Sequence, residues 1–175
     1  ISDYSATYVT LITDREDLKG YGLTFTIGRG NDLCVSAVKS LAELFVIGRT
    51  LEEITANFGQ FWHELVSGDC QLRWVGPEKG VIHLATAAII NALWDLWARS
   101  ENKTVWKLLV DMKPEEVVKC IDFTYITDVL TPEEALTLLR RVESGTVQRQ
   151  PEMVEYGPPG YPTAAARQGR SAEHM

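Results

Sequence analysis

Several things are scarce in this chain, and each scarcity removes a class of function. The three cysteines, Cys34, Cys70 and Cys120, are far apart and odd in number. They make neither a disulfide framework nor a C-x-x-C metal pair, and they read as buried or half-buried thiols. Lysine and arginine never cluster, and the formal net charge is -7. That excludes the basic footprint of a nucleic-acid binder and the polybasic run that anionic lipid attracts. None of the three histidines, His63, His83 and His174, stands at a metal-ligand spacing from another. No uninterrupted apolar stretch has the roughly 20 residues of a membrane span. No targeting segment is visible in the residues given, which begin at Ile1. No repeat recurs at intervals of 20–50 residues.

What is present is an ordinary globular composition, 45% apolar and 23% charged over 175 residues. This suits one domain with an added tail. Residues 5–14 alternate, with Ala6, Tyr8, Thr10 and Ile12 on one side and Thr7, Val9 and Leu11 on the other, which predicts a strand. A polar turn leads to a second strand over 21–28, where Leu23, Phe25 and Ile27 face one way, and the pair reads as an antiparallel hairpin. Asn31 or Asp32 is placed to cap a helix over 33–47 that Gly48 stops. Thr50 and Glu53 form a capping box. They open a helix whose apolar stripe runs Leu51, Ile54, Phe58, Phe61, Trp62 and Leu65. The stretch 68–80 reads as a loop.

The segment after Gly80 is the most informative. From Gly80 to Trp94 no residue is formally charged, and apolar residues surround the helix. A helix apolar on nearly all sides is packed on several of them. His83 reads as a hydrogen-bonded core residue and Asp95 as a local acceptor. Thr104 is placed to cap a short helix, and Pro114 suits the first turn of another. Ile121, Phe123, Tyr125 and Val129 alternate with Asp122, Thr124, Ile126 and Asp128, which predicts a third strand. Thr131 and Glu134 make a second capping box, opening a helix to about Glu143. Residues 146–175 hold four of the seven prolines and no hydrophobic period, and read as a loose tail after a domain of residues 1–145.

Acidic pairs invite a catalytic reading, but Glu52-Glu53, Glu115-Glu116 and Glu133-Glu134 all fall at predicted helix starts, where carboxylates complement the helix dipole. His63 follows Trp62 on the second helix and reads as a solvent-edge residue. The loop Gly28-Arg29-Gly30 lacks the further glycines and the βα context of a phosphate nest. No set of side chains with a catalytic spacing emerges, so neither catalytic nor metal residues are assigned.

Two strands, a helical bundle and then Ala87, Ala88, Ile90, Ala92, Leu93, Trp94, Asp95 and Leu96, followed by Val105-Trp106-Lys107-Leu108-Leu109, resemble the amino-terminal capping domain of the enolase superfamily. The runs Gln71 to Gly80 and Cys120 to Thr131, with Asp3-Tyr4-Ser5-Ala6 and Leu23-Thr24-Phe25-Thr26, resemble its L-fuconate dehydratase-like, mitochondrial branch. The resemblance covers roughly residues 1–163. It implies an α+β fold, an antiparallel β-meander whose first strand would precede Ile1, followed by a helical bundle. The (β/α) barrel of about 250 residues has no counterpart in these 175. The reaction it implies is dehydration of a sugar acid. A base takes the proton beside the carboxylate, bound Mg²⁺ stabilises the enediolate, and an acid assists loss of the β-hydroxyl as water. The Lys-x-Lys pair that the family uses is missing, since all seven lysines are isolated. The resemblance thus implies a cap that is catalytically incomplete by itself, with Mg²⁺ in the parent enzyme and none in this chain. The alternative is a shortened interaction module that associates with full-length subunits. One residue carries over: Tyr4 stands where the family places a substrate-contacting tyrosine. Partners are then a sugar acid and, possible in this family, a homo-oligomer, in mitochondria or cytoplasm, with no nucleic acid and no membrane.

Overall fold

The computed structural model describes residues 4–76, 79–143 and 145–157. The fold is α+β. Strands β1 (Ser5–Ile12) and β2 (Lys19–Thr26) pair antiparallel, from Ser5 opposite Thr26 to Ile12 opposite Lys19. The turn between them is tied by the Thr13 hydroxyl, which donates to the Leu18 carbonyl at 2.9 Å and accepts from the Arg15 N–H at 3.2 Å.

Nine helices follow among the described residues: α1 (Asn31–Phe45), α2 (Leu51–Thr55), α3 (Phe58–Ser67), α4 (Cys70–Val75), α5 (Val81–Ser100), α6 (Val105–Asp111), α7 (Pro114–Lys119), α8 (Pro132–Glu143) and α9 (Thr146–Tyr156). The chain divides into two units, Ile1–Leu139 and Arg140–Met175.

Helix α5 organises the first unit. One side lies under the hairpin, where Ala88 and Ala92 are fully buried against Val9. Another side carries Ala85, Ile89 and Leu93 into a core with Leu41 of α1 and Phe58, Phe61 and Leu65 of α3. Each buried leucine, isoleucine or phenylalanine there contributes on the order of 1.5–3 kcal/mol by leaving water. The rings of Trp94 and Trp97 stack at 5.3 Å, and Phe58 meets Trp94 edge-on at 4.7 Å. Helix α5 is long and apolar enough to cross a membrane by length and composition. Its polar interruptions and the packing of the hairpin, α1 and α3 around it are those of a core helix.

The glycines of β2 explain how the hairpin sits so low. A Cβ on Gly22 would lie 2.2 Å from the Ala88 carbonyl oxygen, and one on Gly20 2.2 Å from that of Ala92. Strand backbone therefore touches helix backbone, which only glycine permits. Asp95 locks the contact: its carboxylate accepts from the Tyr21 N–H at 2.9 Å and from Arg99 at 2.7 Å.

Both capping boxes form, with the Thr50 and Glu53 groups exchanging bonds of 2.8 and 3.2 Å and the Thr131 and Glu134 groups of 2.9 and 3.3 Å. All three glutamate pairs sit in the first turns of α2, α7 and α8.

The structure corrects five expectations. Helix α1 begins at Asn31 itself, after Gly30 in the left-handed region at φ 81°. The long second helix is two, because the Asn57 side chain accepts from the Gln60 N–H and caps a new start. The loop expected over 68–80 contains α4, capped by Asp69 through the Gln71 N–H at 2.8 Å. The alternating stretch 121–129 is not a strand but a run of turns: Asp122 accepts from the Thr124 N–H at 3.0 Å, and the Leu130 N–H donates back to the Ile126 carbonyl at 2.8 Å. With no neighbouring strand to pair it among the described residues, local bonds decide its path. Finally, residues 146–156 of the expected loose tail form α9, with Pro151 inside it. One proline removes one backbone bond, and the flanking Gln148, Arg149, Gln150, Glu152 and Met153 are good helix formers. The expectation for 158–175 lies outside the described residues.

Candidate functional site

Tyr4 stands just before β1, at the open end of the hairpin. Its ring lies 5.5 Å from that of Phe25 at an interplanar angle of 36°, and the residue is 54% exposed. Phe25 is held there by its pairing with Ala6 across the sheet. The ring is thus held on an aromatic support with about half of the residue's surface exposed.

The histidine expected at the solvent edge keeps 32% of its side chain exposed and is also tethered. His63 of α3 is half-buried, with its Nδ1 3.2 Å from an Asp122 carboxylate oxygen and 3.4 Å from the Thr124 hydroxyl. Burial pushes the Asp122 carboxyl up, but the Thr124 hydroxyl and N–H and then His63 outweigh it, so its pKa lies below the ordinary range. The backbone of this segment touches α3 at Gly59, where a Cβ would meet the Ile121 carbonyl oxygen at 2.4 Å. The pair thus fastens the 121–124 turn to α3. Sequence reasoning missed it because the partners are 59 residues apart and because Asp122 was read as the outward face of a strand. His83 packs edge-on to Trp62 at 6.2 Å and is half-buried.

A groove of about 420 Å³ runs between Trp97, Lys103, Asp111, Glu116 and Glu52. Lys103 and Lys107 both pair with Asp111, Lys103 at 3.1 Å. The Asp111 carboxylate is thus matched within the chain, while Glu52, Glu101 and Glu116 leave the lining acidic. Of the cysteines, Cys34 is buried, Cys120 half-buried and Cys70 exposed, and all three are free thiols. Burial, and then Glu116, push the Cys120 thiol up to about 11, where it is a poor nucleophile.

A magnesium ion wants octahedral oxygen ligands, normally from converging carboxylates. Among the described residues no three His, Cys, Asp or Glu side chains converge in that way. The described residues do not fit the ion.

Residues 2–110 match the family described as mandelate racemase / muconate lactonizing enzyme, N-terminal domain. The chain belongs to this family. Within it, the chain is 57% identical over 165 residues to mitochondrial enolase superfamily member 1 of Bos taurus, covering 94% of this chain and 37% of that protein. It is 54% identical to the protein of the same name from Homo sapiens, covering 99% of this chain and 39% of that one. It is 49% identical to the L-galactonate dehydratase of Hypocrea jecorina, covering 99% of this chain and 38% of that enzyme. The crystal structure of human mitochondrial enolase superfamily member 1 superposes with a TM-score of 0.86 at 44% identity, over 99% of this chain and 45% of that one. The chain thus spans under two fifths of the length of these curated relatives. The hairpin-plus-bundle is the fold of this N-terminal capping domain, as its sequence resemblance implied.

Proposed function

We propose that this chain caps the active site of a sugar-acid dehydratase and takes part in catalysis only with a barrel that supplies the acid, the base and Mg²⁺. The observation that carries the reading is 49% identity along 99% of the chain to an L-galactonate dehydratase. L-Fuconate is the 6-deoxy form of L-galactonate. The two substrates share their stereochemistry at the carbons that react, and differ by one hydroxyl at the far end. A cap that covers the sugar is the natural place to read that end.

The residue assigned to substrate is Tyr4. Its phenol donates to a sugar hydroxyl, and its ring, backed by Phe25, shields the site from water. Proton abstraction, enediolate stabilisation and water loss belong outside the described residues, which hold no matching acid cluster. The names of the mammalian relatives favour a mitochondrial setting.

The test is a chimera in which this chain replaces the matching two fifths of the fungal L-galactonate dehydratase. The chimera should convert L-galactonate or L-fuconate to the 2-keto-3-deoxy acid in the presence of Mg²⁺. Tyr4→Phe in the chimera should raise KM about 2–10-fold, the worth of one hydrogen bond. The 175-residue chain alone should give no product. A folded chimera that converts neither acid, or turnover by the chain alone, overturns the reading.

A further inference from the structure

The groove where α2, the end of α5, α6 and α7 meet has a volume of about 420 Å³. That falls within the range of small-molecule sites, about 300–1,000 Å³. Its floor is apolar, with Leu108 buried and Trp97 and Met112 half-buried. The Trp97 ring is held in place by Trp94, which stacks on it at 5.3 Å. The rim is acidic. Glu52, Glu101 and Glu116 are exposed there, and none of them pairs with a cation among the described residues. Lys103 is taken up by Asp111. Against the three carboxylates the lining therefore sets one lysine outside an ion pair among the described residues, Lys119.

Two of these carboxylates serve the fold. Glu52 and Glu116 stand in the first turns of α2 and α7, where a negative charge meets the positive end of the helix, and Glu116 accepts from the Lys113 N–H at 2.7 Å. Glu101 does the opposite. It is the C-cap of α5, the end at which the helix dipole repels a carboxylate. A cation in the groove offsets that repulsion as well as the excess charge of the rim.

The spread of the charges selects the kind of cation. A metal ion needs ligands that converge on one point, and no such group of three exists among the described residues. The rim carboxylates instead come from three separate helices or helix ends around an apolar floor. That arrangement suits an extended organic cation, with methylenes on Trp97, Leu108 and Met112 and ammonium groups at the rim. Three carboxylates against one free lysine leave room for two positive charges.

We propose that this groove binds a doubly protonated alkyl diamine, held by Glu52, Glu101 and Glu116 over Trp97. The assignment is independent of the dehydratase reading, which rests on Tyr4 and the family match.

Titration of the isotopically labelled 175-residue chain with cadaverine at low salt, followed by NMR, tests it. The Trp97 indole N–H and the Glu101 and Met112 amides should shift and saturate, with a dissociation constant on the order of 0.1–1 mM for a few exposed charge pairs and one ring contact. Raising the salt to about 0.5 M should weaken binding on the order of 10-fold. Glu101→Gln should weaken it about 3-fold, and Glu52→Gln with Glu101→Gln on the order of 10-fold. Glu16→Gln, which removes the same charge from the hairpin turn, should leave it unchanged. Met112→Lys, which tethers an ammonium in the groove, should weaken it on the order of 10-fold. Mg²⁺ at equal ionic strength should not reproduce the Trp97 shift. Circular dichroism of each variant reports that the fold is intact. Shifts that never saturate, that spread evenly over the acidic surface, that persist undiminished in the double variant, or that Mg²⁺ reproduces overturn the proposal.

Discussion

The two faces of the hairpin invert the usual arrangement of polarity. The face against α5 is lined by Thr7, Val9, Thr24 and Thr26 with Gly20 and Gly22, and it is buried. The face away from it carries Tyr8, Tyr21, Leu23 and Phe25, and it is exposed. The difference shows that burial here is set by how closely two backbones approach. A helix lying on glycine leaves room for hydroxyl and methyl groups, so the large side chains of the same strands go to the other side. It also shows that a face can be apolar without belonging to this chain's own core.

Substitutions on either side should respond very differently. Gly22→Ala drives a methyl into the Ala88 carbonyl and should cost about 3 kcal/mol in urea unfolding, because neither backbone can yield. A loss under about 1 kcal/mol would mean that the hairpin floats on α5. Thr26→Val comes next. The Thr26 hydroxyl donates to the Asn31 side-chain oxygen at the start of α1. Removing it leaves that oxygen partly unmet and should cost about 1–2 kcal/mol. Asp122→Asn, outside the sheet, should cost about 1 kcal/mol at neutral pH by weakening the bonds from Thr124 and His63. Asp122 has a lowered pKa, so its contribution is complete above the ordinary value of 3.8 and fades as pH falls through the lower folded value. Wild type and variant should therefore converge in stability in acid, and a gap that stays constant with pH would assign the effect to packing. The smallest change is expected on the outer face, where Leu23→Lys should shift the stability of the fold by about 0.5 kcal/mol or less.

Legibility in the sequence followed the range of each interaction. The capping boxes of Thr50 and Thr131 close within three residues, so spacing alone located them. The split at Asn57 was equally local, and was missed because the apolar stripe from Leu51 to Leu65 continues in phase across it. Tyr4 is marked in the sequence only by family resemblance, since its spacing holds nothing special. The 121–129 segment alternates well enough for a strand, yet a strand exists only when another lies beside it. The His63–Asp122 pair had no local signature at all.

The sequence by itself determined the capped starts after Thr50 and Thr131, the uncharged core helix and the family, because these are written in neighbouring residues and in their order. It also determined that Gly20 and Gly22 leave no side chain on one side of β2. Tertiary structure alone decided what fills that gap, which strand candidates pair, and that the large apolar side chains of the hairpin face outward. Those outcomes depend on the distance between elements far apart in the chain, and that distance is fixed only when α5 packs.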